Sequence, residues 1–150
     1  MARQLYVPAR QSLGTGGVFN FSSDTLFIML VLSSYTFDAT HQFASSIGSG
    51  NVAVSADTTT GITGKACLIL SGVSWSNGVL NFTSPTFTTV TTAQTIKGVA
   101  IGKRVGSDMS TLGDDPLICW ADDYTGLPLS TNGGNVTYTV DAGAFKQFSL

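Results

Sequence analysis

Apolar positions in this chain form short runs, separated by residues that interrupt strands. The run DTLFIMLVLS, from Asp24 to Ser33, is continuously apolar inside its polar ends and predicts a strand buried on both faces. Alternating runs over Thr86–Thr92 and Asn135–Val140 predict strands with one buried face. Gly, Pro, Asn and Asp punctuate these runs and favour turns. The pattern therefore predicts a β protein.

The C-terminal third contains two further predicted strands. Ile96–Val105 alternates well enough to place several apolar side chains inward, and Pro116–Ala121 has the composition of a central strand. Glycine inside a strand indicates a bulge or a close approach of another backbone. We expect one of these features at Gly98 and at Gly102.

Turn signals organise the middle of the chain in the same way. Gly64–Gly72 predicts a strand, and Asn51–Ser55 predicts a shorter one. Val73–Phe82 predicts a hairpin, because Asn77-Gly78 accepts the positive φ angles of a tight turn. The total is about eight strands with regular turn punctuation, which is typical of an antiparallel β-sandwich, here of jelly-roll type.

The predicted domain organisation is simple. Residues 1–17 contain basic residues and a Gly-rich end, and they predict an extended N-terminal arm. Residues 18–150 predict a single all-β sandwich domain. One short helix is expected within Tyr35–Ile47, where Thr40 could cap it and Phe43 and Ile47 lie four residues apart on one face.

Composition narrows the kinds of surface that this protein can have. Charged residues make up only 11% of the chain, against roughly 25% in an ordinary soluble domain. The polar residues include 17 Ser and 20 Thr. The net charge of −2 gives no electrostatic case for nucleic acid. A weakly charged surface favours contact with other subunits, although a Ser/Thr-rich monomer is the alternative.

The sequence also gives no indication of a membrane or secretory segment. The N-terminal residues lack the apolar core of a signal peptide. Leu26–Leu32 is the longest apolar run, and it is far shorter than the roughly 20 residues of a membrane helix. We expect a protein made and folded in a cytoplasm, without membrane contact.

Candidate chemistry is sparse, and we predict neither an enzyme nor a cofactor or metal site. Cys67 and Cys119 lie in apolar runs and predict buried thiols on neighbouring strands rather than a disulfide or zinc ligands. His41 is the one histidine, and a hydrogen-bonding role is favoured over catalysis. The pairs Asp114-Asp115 and Asp122-Asp123 favour turns or ion pairs with Lys103 or Arg104 over a calcium site. Serine esterase motifs are absent from the sequence.

The order of motifs in the C-terminal third resembles a family of small tailed-bacteriophage proteins. The segment KGVAIGK is followed by PLICWADDYTGLPLSTNGGNVTYTVDAGAFKQFSL, and the family has PLIA, an acidic turn, TGLP and PNGGDITVTW in that order. The earlier segments DTLFIMLVLSSYTFDATHQF and TGKACLILSGVSWSNGVLNF also resemble the family. Thr131 replaces the usual Pro, and Val140 replaces the usual Trp.

The resemblance implies a virion structural protein without enzymatic residues. Within it we predict a capsid decoration, or cement, protein on the capsid surface, assembled in the host cytoplasm. Its expected partners are the major capsid protein and further copies of itself in a homotrimer that bridges neighbouring capsomers. The residues expected to contact these partners are Arg3, Tyr6 and Arg10 in the arm, and Tyr124 and Leu127 in the loop around TGLP.

Two other functions are kept as alternatives. The first is a tail or head-fibre component that binds a host surface glycan through exposed aromatic rings, with Trp75, Trp120 and Tyr124 as the candidates. Placement of both tryptophans in the core would argue against it. The second is a small depolymerase, which the lack of a catalytic motif disfavours.

Overall fold

The computed structural model describes residues 4–57, 62, 64–76, 79–107, 109, 112–123 and 126–140. These residues form a β-rich fold in which every named strand pair is antiparallel. The strands are β1 Gln4–Leu5, β2 Leu26–Leu32, β3 Cys67–Ile69, β4 Ser74–Ser76, β5 Val79–Asn81, β6 Thr86–Phe87, β7 Thr95–Lys103, β8 Leu117–Ala121, β9 Leu129–Ser130 and β10 Val136–Thr137. An α-helix, α1, spans Val7–Thr15, and short 3₁₀ helices span Ala44–Ser46 and Ser49–Asn51.

A six-stranded sheet organises the fold. Its strand order is β1-β8-β7-β2-β3, and β9 pairs with the first residues of β7. The two longest strands, β2 and β7, pair along their whole length from Leu26↔Lys103 to Leu32↔Ile96, with a register shift after Val31. The predicted strands over Asp24–Ser33, Ile96–Val105 and Pro116–Ala121 are therefore confirmed.

Both faces of this sheet are covered, as the continuous apolar run in β2 predicts. Leu26, Ile28 and Leu30 face one core, and Phe27 and Met29 face the other. Each fully buried side chain of this size contributes about 1.5–3 kcal/mol of transfer free energy. The first core includes residues of β5 and β6, and the second is covered by α1 and the segment after β2.

Both strand glycines of β7 lie where another chain segment approaches closely, as predicted. A Cβ built on Gly98 would lie 2.6 Å from both the Ala121 carbonyl oxygen and the Trp120 ring. A Cβ on Gly102 would clash with the Phe27 ring and would lie 2.7 Å from the Pro116 carbonyl oxygen. The pairing of β7 with β8 also shifts register between Ile101 and Gly102.

The predicted extended arm is wrong for residues 4–17. β1 pairs with β8 at the edge of the sheet, and α1 follows directly. Pro8 lies in the first turn of α1, where proline is compatible with a helix because no intrahelical bond needs its N–H. Gly16 ends the helix in the left-handed conformation, at φ 71°. Tyr6 and Ala9 belong to the second core, so the segment is part of the sheet domain.

The helix predicted within Tyr35–Ile47 is also wrong, since this segment holds only the 3₁₀ turn Ala44–Ser46. The Asp38 carboxylate accepts hydrogen bonds from the N–H and the hydroxyl of Thr40, so a local turn replaces the helix cap. Phe43 is extended, at φ −120° and ψ 157°, and bridges to Pro116. The tertiary contact and the turn together override a weak helical pattern.

Two small antiparallel pairs complete the fold. β4 pairs with β5, which confirms the hairpin around Asn77-Gly78, although those two residues lie outside the described part of the chain. β6 pairs with β10. The predicted strand over Thr86–Thr92 ends at Phe87, because Thr89 takes a positive φ of 45°. Asn51–Ser55 forms isolated bridges rather than a strand.

The thiols of Cys67 and Cys119 are both buried, as predicted. They do not lie on neighbouring strands, because β7 and β2 separate β8 from β3. They also face opposite cores. A disulfide between them is therefore incompatible with this sheet. Within the described residues, no helix is long and apolar enough to cross a membrane.

Candidate functional site

The structure describes three of the five predicted contact residues, and it places them in different environments. Tyr6 has 0% exposure, so it cannot touch a partner in this conformation. Arg10 is exposed on α1, and Leu127 is half-buried before β9. Arg3 and Tyr124 lie outside the described residues. Removal of residues 1–17 would therefore uncover the sheet, and it would not leave an intact domain.

A polar chain runs from Tyr6 towards the surface. The Tyr6 and Tyr35 hydroxyls are 3.4 Å apart, and the Tyr35 hydroxyl lies 2.9 Å from His41 Nδ1. His41 Nε2 is 3.8 Å from the Asp38 carboxylate. The hydrogen-bonding role predicted for His41 is confirmed. This series of polar side chains connects the segment between β1 and α1 with the segment after β2.

The acid–base properties of Tyr6, Tyr35 and Asp38 suit a structural role. Burial raises the pKa of Tyr6 far above its ordinary value, and the hydrogen bond to Tyr35 adds to the effect. Burial also raises the pKa of Tyr35. The Thr40 hydroxyl and N–H lower the pKa of Asp38. Both phenols therefore remain neutral at physiological pH.

We expect Tyr6→Phe to reduce the sensitivity of the fold to alkaline pH. A raised pKa in the folded state stabilises the protein below the unfolded-state pKa, about 10 for tyrosine, and this contribution falls as pH rises further. At pH 7 the variant loses one weak hydrogen bond, which is about 0.5–1.5 kcal/mol. Urea denaturation at pH 7 and at pH 11 measures both effects. If Tyr6→Phe lost as much stability between pH 7 and pH 11 as the parent protein does, the prediction would be contradicted.

A groove beside α1, here called the α1 groove, carries exposed apolar side chains. Val18 is 54% exposed and Val105 is 39% exposed, and both line this groove. Phe19 and Phe43 extend its apolar surface, and Asp114 adds a charge. The residues that line it are Pro8, Ala9, Ser12, Val18, Phe19, Gln42, Phe43, Val105, Asp114, Pro116 and Leu117. Exposed apolar side chains gathered at one concave place are typical of an interaction site.

An open cleft of about 480 Å³, here called the aromatic cleft, lies between the end of α1 and the β4–β5 hairpin. The Phe21 and Trp75 rings lie 4.7 Å apart between centroids, tilted by 34°. Phe19 stacks on Phe21, with 6.1 Å between the ring centroids and 6° between the planes. The described residues that line the cleft are Leu13, Gly16, Gly17, Phe19, Asn20, Phe21, Ser22 and Trp75.

Leu127 lines a third concave surface, between β7, β9 and β10. Its other walls include Leu129, Val136 and Tyr138. The Leu127-Pro128 peptide bond is cis. This groove is mostly apolar and opens into the first core through Leu30. The contact role predicted for Leu127 is compatible with this position.

Several of the aspartates that the structure describes form hydrogen bonds and ion pairs. Asp115 is fully buried, and its Oδ1 accepts the N–H of Val105 at 2.7 Å, which fixes the loop after β7. Lys103 forms an ion pair with Asp24, at 3.0 Å. Across the described part of the chain, no group of three or more His, Cys and Asp side chains could hold a metal ion.

Comparison with protein-family models, with curated proteins and with solved structures gave no match for this chain. Sequence reasoning named Trp75 but missed Phe19, Phe21 and the α1 groove. The sequence signal for these two rings is the alternation of Phe19 and Phe21 around Asn20. It does not indicate that Trp75 lies beside Phe21.

Proposed function

We propose that this protein is a capsid decoration protein of a tailed bacteriophage, which binds the shell of the major capsid protein and bridges neighbouring capsomers. The observation that carries the proposal is the α1 groove, which the exposed Val18 and Val105 line together with the half-buried Phe19 and Phe43. The motif order of the C-terminal third supplies the kind of partner.

The α1 groove suits a segment of a capsid subunit that inserts an apolar side chain. Its walls belong to α1, to the loops that follow α1 and β7, and to the start of β8. Arg10 is exposed on α1 and Asp114 is exposed on the other wall, and they could orient a partner through charges at the rim. A stable contact of this kind buries about 1,600 Å² in total.

The proposed mechanism is additive burial rather than chemistry. Each copy would cover a junction between capsomers, and a homotrimer would multiply the contacts without requiring a strong single interface. We also propose the finer fold assignment, an antiparallel β-sandwich of jelly-roll type. Its support is that Leu80 of β5, Phe87 of β6 and Tyr138, which follows β10, belong to the core on one face of the large sheet.

We expect Val18→Asp and Val105→Asp each to weaken binding to the capsid shell by tenfold or more, because a carboxylate would be buried in an apolar contact. A tenfold loss corresponds to about 1.4 kcal/mol. The measurement is co-sedimentation of the purified full chain with phage capsids that lack it, followed by quantification of the bound fraction.

Val54→Asp is the matched control. Val54 is also an exposed valine, at 40%, but it lies outside the α1 groove. All three variants should keep their stability within about 0.5 kcal/mol, because the changed side chains are exposed. If all three variants bound capsids equally well, the α1 groove would not be the capsid-binding surface. Absence of the protein from purified virions, measured by mass spectrometry, would overturn capsid decoration itself.

A further inference from the structure

The aromatic cleft has the volume and the lining of a small-molecule site. Ligand binding there would not depend on attachment to a capsid. Its volume of about 480 Å³ falls within the roughly 300–1,000 Å³ range of small-molecule sites. Trp75 is half-buried on β4, between the exposed residues Ser74 and Ser76. Its position against Phe21 leaves part of the indole at the surface of the cleft.

The Phe19 and Phe21 rings are held in place by the turn between α1 and β2. The N–H of Asn20 donates to the Asp24 carboxylate at 2.7 Å, and the N–H of Ser22 donates to Asn20 Oδ1 at 3.2 Å. Asp24 is in turn paired with Lys103 of β7. The turn is therefore fixed to the central sheet, and the site is largely formed before any ligand arrives.

The lining chemistry indicates the class of ligand. An aromatic ring offers a flat apolar face, which matches the C–H face of a pyranose ring. Asn20 and Ser22 supply amide and hydroxyl groups that match sugar hydroxyls. None of the described lining residues is charged, so nothing in this lining would neutralise a phosphate or a carboxylate. A nucleotide or an acidic polysaccharide is therefore a poorer match than a neutral sugar.

We propose that the aromatic cleft binds a neutral saccharide, with one pyranose ring stacked on Trp75 and with Asn20 and Ser22 as hydrogen-bonding partners. Gly16 and Gly17 border the cleft without side chains, which leaves room for the sugar at the end of α1. On a virion, such a site would hold the particle near host-surface polysaccharide.

The test uses the isolated full chain and no capsids, so its outcome is independent of capsid decoration. The chain is applied to an array of bacterial surface polysaccharides and oligosaccharides, both neutral and acidic. Neutral saccharides that bind are then titrated by saturation-transfer NMR. We expect binding to at least one neutral saccharide and at least a tenfold weaker affinity for Trp75→Ala.

Two further variants separate binding from folding. Trp75→Phe keeps an aromatic face and should retain part of the affinity, whereas Ser74→Ala, on the same strand, should leave it unchanged. Circular dichroism checks that each variant is folded. Lack of binding to every neutral saccharide on the array, selective binding of acidic ones, or full affinity in folded Trp75→Ala would each overturn the proposal.

Discussion

Gly102→Ala is expected to destabilise the fold by about 3 kcal/mol or more, at the upper end of overpacking effects. The added methyl group would meet the Phe27 ring on one side and the Pro116 carbonyl oxygen, 2.7 Å away, on the other. Phe27 is fully buried and Pro116 is fixed at the start of β8, so neither can move without disturbing the sheet. Urea denaturation followed by circular dichroism measures the loss.

Gly14→Ala is the control, with an expected effect of opposite sign. Gly14 lies in α1, and a Cβ at this position meets no atom within 4 Å. Because alanine favours a helix over glycine, the variant should be more stable by about 0.5–1 kcal/mol. If Gly102→Ala were as stable as the parent protein, the close approach of β7 to Phe27 and β8 would be wrong.

Trp120→Ala should cost about 3–5 kcal/mol, because it leaves a large cavity in the second core. Trp120 has 0% exposure, and its ring contacts Tyr35 at 5.4 Å and Phe37 at 6.0 Å between centroids. Phe37 in turn contacts Tyr6, at 5.2 Å. The loss should therefore loosen the N-terminal segment as well as the sheet.

Hydrogen exchange measures this second effect, since the amide of Tyr6 donates to the Ile118 carbonyl and should exchange faster in the variant. Trp75→Ala removes the same residue type from a half-buried position and should lose less stability. Equal losses in the two variants would contradict the placement of Trp120 in the core and Trp75 at the aromatic cleft. Because Trp120 is fully buried, it is not one of the exposed rings that the glycan-binding alternative requires.

Several parts of the fold were predictable because local sequence decides them. The apolar run of β2 requires burial on both faces whichever strands pair with it. Asn77-Gly78 favours a tight turn through its own backbone preferences, and the β4–β5 hairpin follows. Gly98 and Gly102 mark close approach within β7, although the sequence does not name Trp120 and Phe27 as the neighbours.

The candidate sites depended on contacts between distant parts of the chain. Phe21 and Trp75 are far apart in sequence, so neither the turn after α1 nor the β4–β5 hairpin reveals the aromatic cleft alone. The α1 groove likewise needs Val18, after α1, and Val105, after β7, to line the same concave surface. Whether an apolar side chain is exposed depends on the tertiary structure. The local sequence around a valine in a loop does not indicate its exposure.

The sequence by itself determined a β-rich chain with buried central strands, since alternation, continuous apolar runs and turn residues are local properties. Only the tertiary structure decided the N-terminal segment. The pattern of residues 1–17 predicts an extended arm, whereas β1 completes the edge of the sheet at β8, Tyr6 fills the second core and α1 follows. The same burial that stabilises this segment removes Tyr6 from the surface, whereas Arg10 on α1 and Val18 and Val105 in the α1 groove are exposed.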